Sequence, residues 1–391
     1  MSNLDVNRDA AIAASGWGER YRFVQVHNAT FWLYAVLLAI GILHFNDQLT
    51  GVISRVPTAA VTASALWALW LIPWVWFLQS RDRFGRQTFR VAATGFFWGG
   101  LIATFVIALP ANAAMLSLLG KVFGDGAGLS WAAAFTAPFV EETAKGLGIV
   151  VVALLARAHV RNTYDGFIIG AFVGLGFQVF EDWLYTVQAA EAAFGANQVQ
   201  AVLGVFGARG GFVALASHAA YSALVGAGIG WWIQHRGRGL GVQLPRAALL
   251  IGLAFLIHGL WDFLAFQGLK NVAFLMVVII VVFVIVVGRW TQRQERPWMH
   301  DLLAPEMAAG LITEAELDAL VGAPHDRRKL AHEMADGHGR AGRKAAKHVL
   351  HAEMDLAEAL AESHGTESDN VAHARDELQR LRSDYTALVG A

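Results

Sequence analysis

The sequence predicts an all-α membrane protein, a polytopic bundle of about eight transmembrane helices with a C-terminal soluble helical region. Three observations predict it. Hydrophobic residues fill 56% of the 391 positions and charged residues only 16%, against about 25% in a typical soluble domain. The apolar residues gather into segments close to the ~20 residues that a spanning helix needs. Basic residues then fall in every second connection between those segments.

Eight segments lie near residues 29–45, 59–78, 91–109, 131–156, 164–185, 212–233, 246–266 and 272–287. The first is short and contains Tyr34 and His44; the last is short but carries no polar side chain. Arg20 and Arg22 precede the first segment. Arg81, Arg83, Arg86 and Arg90 separate the second from the third, and Arg157 and Arg161 the fourth from the fifth. Arg236, Arg238 and Arg246 separate the sixth from the seventh, and Arg289, Arg293 and Arg296 follow the eighth. The other connections are poor in positive charge, including QGLKN after the seventh segment. Positive charge stays on the cytoplasmic side, so the pattern predicts a multi-pass protein of the cell membrane with both termini in the cytoplasm. The N-terminus has no apolar h-region and does not read as a signal peptide. The expected divisions are a cytoplasmic N-terminal segment (1–28), a transmembrane domain (29–290) and a cytoplasmic helical tail (297–391).

In the tail, Thr313-Glu314-Ala315-Glu316 opens an apolar-periodic run. A long polar helix over 330–362 is expected to be interrupted near Gly337, Gly339 and Gly342, with a further helix over 375–388. HEMADGH, residues 332–338, departs from the zinc pattern HExxH and reads as a solvated helix face. Regulation or docking of a cytoplasmic partner is the expected role of the tail. A net charge of −1 suggests no nucleic-acid partner, and the absence of cysteine removes disulfides, thiolate ligands and a cysteine nucleophile.

The chemistry gathers in four consecutive segments. The fourth carries Glu141, Glu142 and Lys145; the fifth Glu181 and Asp182; the sixth His218; the seventh His258 and Asp262. A charge at the bilayer centre costs about 2.5–3.5 kcal/mol on insertion scales, so such residues are functional-site hypotheses. Singly, Glu141 with Lys145 and His258 with Asp262 read as structural i,i+4 pairs. Together they do not, because five carboxylates face one lysine. The rest must be protonated, hydrated, histidine-paired or metal-bound. At about 1.5 Å per residue, Glu141 lies roughly 15 Å below the outer end of its segment, Glu181 roughly 6 Å, His218 roughly 9 Å and His258 roughly 12 Å. A shared depth in the outer half of the bilayer is what one water-filled pocket requires. Gly166, Gly170 and Gly174 on one face, with Ala219, Ala223, Gly226 and Gly230 on the next segment, permit close helix approach.

A carboxylate beside a histidine in a partly dry cavity can activate water for peptide hydrolysis. The oxyanion also needs a donor, and His218 or His258 can provide one. The sequence lacks HExxH, a Gly-x-Gly-Asp with a partner aspartate, and a glycine-flanked nucleophilic serine. Glu141, Glu181, His218 and His258 also form an N/O set suited to Zn²⁺. Lys145 beside the glutamates disfavours a cation, so a site without metal and a site with a divalent metal both stay open.

Glu141-Glu142-x-x-Lys145, Phe177-x-x-x-Glu181 and His258-x-x-x-Asp262, in this order, resemble the motifs of the PrsW family of intramembrane proteases. That family is related to the wider CAAX-protease and bacteriocin-processing superfamily. The resemblance covers about residues 30–290, and His218 followed by Tyr221 also looks like a family feature. It implies an endopeptidase that cleaves a membrane-anchored, single-pass regulatory protein of the anti-sigma-factor kind near the outer face of the bilayer. It implies that one of Glu141 and Glu142 activates water, that Glu181 is the second-motif acid, and that His258 and Asp262 contact water or the oxyanion. Lys145 would neutralise the glutamate pair. Two other classes remain open, a proton- or cation-coupled transporter and a non-catalytic membrane scaffold. Against a transporter, no inverted repeat or pair of broken helices is visible.

Overall fold

The computed structural model describes residues 3–81, 89–124, 129–266, 270–335 and 337–389. Arg83 and Arg86, most of QGLKN, and Asp336 of HEMADGH lie outside the described residues. The chain is helical, with no strand among the described residues. In chain order the helices are α1 (Asn3–Ser15), α2 (Ala29–Arg55), α3 (Pro57–Arg81), α4 (Phe89–Phe97), a π-helical stretch (Trp98–Ala108), α5 (Leu109–Phe123), α6 (Leu129–Leu155), α7 (Thr163–Ala192) and α8 (Gln198–Arg209). There follow a 3₁₀ turn (Phe212–Ala216), α9 (His218–Gln234), α10 (Leu240–Phe266), α11 (Lys270–Arg293), α12 (Arg296–Ala308), α13 (Glu314–Val321), α14 (Pro324–Glu333), α15 (Gly339–Glu362) and α16 (Asp369–Val389).

The chain forms two compact units, residues 21–291 and residues 1–20 with 292–391. Seven helical stretches among the described residues are long and apolar enough to cross a membrane. The 27-residue α6 is of similar length and carries Glu141, Glu142 and Lys145. This is a polytopic helical bundle. The predicted third segment runs on past 109 as α5, which reaches Phe123. Pro110 does not stop it, because it stands in the opening turn of α5, where proline is tolerated. The predicted sixth segment is broken. Its start is the 3₁₀ turn, and His218 opens α9 instead of lying inside a helix.

Helix α7 is the centre of the bundle, with 94% of its apolar window buried against 17% for α2 and α3. Its start is held by a capping box. Asn162 accepts from the Tyr164 and Asp165 amides, and Asp165 accepts from the Asn162 amide. Helix α9 packs along α7 backbone to backbone. A Cβ on Gly170 would stand 2.1 Å from the Ser222 carbonyl oxygen, and one on Gly174 would stand 2.2 Å from that of His218. The same face of α7 continues one and two turns on to Phe177 and Glu181. The glycine contact therefore brings α9 close enough for His218 to reach them.

The second unit joins the first twenty residues to the tail, a grouping the sequence reading had not made. Buried Arg8 of α1 donates to the Leu302 carbonyl at 2.9 Å and to Glu306 at 2.8 Å, and Arg375 of α16 meets Glu306 at 2.8 Å. On α15 and α16, Leu350, Leu356, Leu360 and Leu378 form an apolar seam. Arg382 is shared by two buried acids, Glu316 (3.1 Å to Oε1) and Glu353 (2.8 Å). One guanidinium cannot satisfy both. Burial and the neighbouring Glu316 charge push the Glu353 carboxyl up to about 9, whereas Glu316, with Arg382 and the Thr313 cap, is held low.

Three outcomes are expected. Gly170→Leu should force α7 and α9 apart and lower stability by about 1–3 kcal/mol or more, as overpacking does; thermal unfolding in detergent measures it. Gly207→Ala, where a Cβ meets nothing within 4 Å, should be neutral or slightly stabilising. Because the folded Glu353 carboxyl lies above its ordinary 4.5, its contribution is complete below that pH and declines as pH rises toward about 9. Hydrogen exchange of α15 should show that decline in the native chain and a flatter profile in Glu353→Gln.

Candidate active site

Helix α6 places Glu141, Glu142 and Lys145 on one inward side, all fully or nearly fully buried. Lys145 is the hub. Its Nζ donates to Glu142 Oε1 at 2.6 Å, lies 3.6 Å from Glu141 Oε2 and meets His218 Nδ1 at 3.0 Å. The Phe177 ring lies 4.3 Å beneath the ammonium and 4.9 Å from the His218 ring. One α7 side chain thus supplies an aromatic floor for both.

The histidines are oriented from outside the centre. His258 Nδ1 is 3.0 Å from Glu142 Oε1, and His218 Nε2 is 2.9 Å from Glu181 Oε2. An ionised carboxylate only accepts, so these nitrogens carry the protons. The other nitrogens turn inward. His218 Nδ1 lies 3.7 Å and His258 Nε2 3.9 Å from Glu141 Oε2. Asp262 Oδ2 stands 3.5 Å from the same His258 nitrogen. Tyr221 stacks on His258 at 4.8 Å and meets His218 edge-on at 6.1 Å. Ser222 donates to Glu142 Oε2 at 3.4 Å. Nine of the ten residues singled out in the sequence therefore lie in one connected group, and Asp182 joins it through Arg209.

Two members were not anticipated. Asn112 of α5 donates to Glu141 Oε1 at 3.1 Å. Arg209, at the end of α8, donates to Glu181 Oε2 at 3.0 Å and to Asp182 Oδ1, with its guanidinium 4.5 Å over Tyr185. Arg209 was read as part of a charge-poor outer connection. Its signal was its isolation in that connection, opposite an uncompensated Glu-Asp pair. The five acids thus face two fixed cations. The histidines assigned above to the oxyanion have their ring nitrogens engaged.

A metal can be tested against these residues directly. Glu141, His218 and His258 each present a ligand atom within 4.8 Å of the others. Glu141 Oε2 is buried and has no hydrogen-bond partner. Each histidine is backed by a carboxylate on its far nitrogen, the usual support for a metal-binding imidazole. Were all five acids ionised, two cations would leave three excess negative charges, which a divalent ion would reduce. The donor set fits. Glu181, counted among the ligands in the sequence reading, instead backs His218.

No curated protein and no solved structure matches the chain. The family model of the PrsW family intramembrane metalloproteases matches residues 87–288, a stretch that holds every residue of the group just described. The match spans just over half of the 391 residues, and the chain belongs to the PrsW family of intramembrane metalloproteases.

Proposed function

We propose that this protease cleaves a single-pass, membrane-anchored regulatory protein near the outer face of the bilayer, with a divalent metal held by Glu141, His218 and His258. The observation that carries the reading is the convergence of two imidazole nitrogens on a buried carboxylate oxygen that accepts no hydrogen bond. The alternation of basic connections supports cytoplasmic termini and an outward-lying site. Zn²⁺ suits the donor set.

When bound, such an ion supplies Lewis-acid polarisation of the scissile carbonyl and of water. The protein's own groups do the rest. Glu142 and Glu181 hold the two imidazoles by their outer nitrogens. Lys145 holds Glu142, and Asn112 holds Glu141. Asp262 is the most open of the carboxylates, with 20% of its side chain exposed against 0–4% for the glutamate pair. On this reading it is the base. Water adds its oxygen to the carbonyl carbon and passes a proton to Asp262. That proton then goes to the amine nitrogen as the C–N bond breaks.

One observation favours a second reading. Lys145 Nζ lies 3.0 Å from His218 Nδ1, where its proton competes with a metal for the lone pair. In that reading the ammonium stands in for the ion and Glu141 is the base.

Chelation separates the two. On the first reading, cleavage of a single-pass reporter stops after chelator treatment and returns with Zn²⁺. Activity that survives chelation, in protein free of bound metal, supports the second. Asp262→Asn should lower kcat by about 10²–10⁴-fold with zinc content unchanged, whereas Glu141→Gln should lose the zinc. The Glu141→Gln, Glu142→Gln pair should abolish cleavage in protein that remains folded. Tolerance of both changes would indicate a scaffold, and loss of ion flux without cleavage in either form would indicate a transporter.

A further inference from the structure

Glu181 and Asp182 are adjacent on α7, so their side chains leave the helix about 100° apart. One guanidinium nevertheless meets both. Arg209 spends Nη2 on Glu181 and Nε on Asp182, which its planar fork allows and a lysine would not. Asp182 is only 1% exposed. The carboxylate oxygen that Arg209 holds, Glu181 Oε2, is the one that meets His218 Nε2.

The place of Arg209 is fixed by contacts of its neighbours Phe206 and Gly210 with α3. Phe206 packs on Trp67 with ring centroids 5.0 Å apart, and Trp70 Nε1 donates to the Gly210 carbonyl at 2.7 Å. Tyr185, one turn beyond Glu181, lies under the guanidinium. The connection between α7 and α9 is therefore tied to α3 on one side and to the catalytic group on the other.

We infer that Arg209, anchored by Asp182, is a positioning residue. It pins Glu181 so that His218 keeps its proton on Nε2 and turns the Nδ1 lone pair toward Lys145 and Glu141. The inference rests on the reading in which His218 Nδ1 faces the reacting centre, but it concerns the imidazole and not the metal. An arginine that merely fastened α8 to α7 would affect stability and leave the imidazole unchanged.

The test is the ¹⁵N resonance pair of the His218 imidazole in the full chain, metal-stripped and in detergent. The native chain should show a single tautomer protonated at Nε2. Arg209→Met should give a mixture. Arg209→Lys should restore only part of the native population, because a single ammonium cannot hold both acids in the same geometry. Asp182→Asn, which keeps the arginine and removes its anchor, should give an intermediate result and serves alone if Arg209→Met does not fold. After reloading with Zn²⁺, Arg209→Met should bind the metal about 10–100-fold more weakly and lose kcat more than it gains KM. An unchanged His218 tautomer in folded Arg209→Met or Asp182→Asn would overturn the inference. A native chain that shows the Nε2 tautomer but binds no zinc would overturn the metal reading and leave the positioning role standing.

Discussion

The ammonium of Lys145 is the constraint from which the rest of the site follows. A charge with no exposed surface must have its protons accepted nearby, because removing one partner of a buried pair costs about 3–5 kcal/mol. Lys145 has three protons. Glu142 takes one, His218 takes another, and Glu141 Oε2 lies within 3.6 Å. Those contacts hold the glutamate pair on one side and draw α9 onto α6 on the other. His258 reaches the cluster through the same Glu142 oxygen that Lys145 uses. Three helices are thus tied to one nitrogen, and each histidine keeps its second ring nitrogen turned toward Glu141.

Such a knot requires the helices to be closer than side chains normally permit. The glycines of α7 provide that closeness, and their row runs directly into Phe177 and Glu181. Packing and chemistry therefore occupy one helical face in sequence. The upper part brings α9 in, and the lower part meets the histidine that α9 carries. This explains why the most buried helix of the bundle is also the one that holds the outer support of the site.

Residue type and spacing made most of this readable. Helices longer than the apolar core, a charged helix among them, and pairs at i,i+4 are local properties, and local properties are written in order along the chain. The meeting of α6, α7, α9 and α10 was inferred from shared depth alone, and the structure supplies the contacts that bring them together. What stayed hidden depends on chain reversal. Asn112 and Arg209 lie in stretches that read as outer connections, yet both fold back, as α5 and α8, onto acids tens of residues away. Nothing periodic announces such a return. The union of α1 with the tail was hidden for the same reason, since Arg8 and Glu306 lie 298 residues apart. The division of labour among the glutamates was equally illegible. Whether Glu181 faces a metal or backs a ligand depends on which imidazole nitrogen it meets, and that is a matter of ring orientation.

Exposure across the group gives the site a direction. Lys145 and Glu142 have no exposed side-chain surface, Glu141 has 4%, Glu181 13%, Asp262 20% and Arg209 36%. Exposed surface therefore rises from α6 toward the ends of α7, α8 and α10. On the proposed reading, water and the scissile peptide approach from that side, past Asp262. The closed side holds the fixed charge, where exclusion of water strengthens every ion pair. The open side holds Asp262, the proposed base, which on that reading exchanges protons with water. A site built the other way round, with Lys145 exposed and Asp262 sealed, would weaken the pairs that orient the histidines and strand the proton that the leaving amine requires.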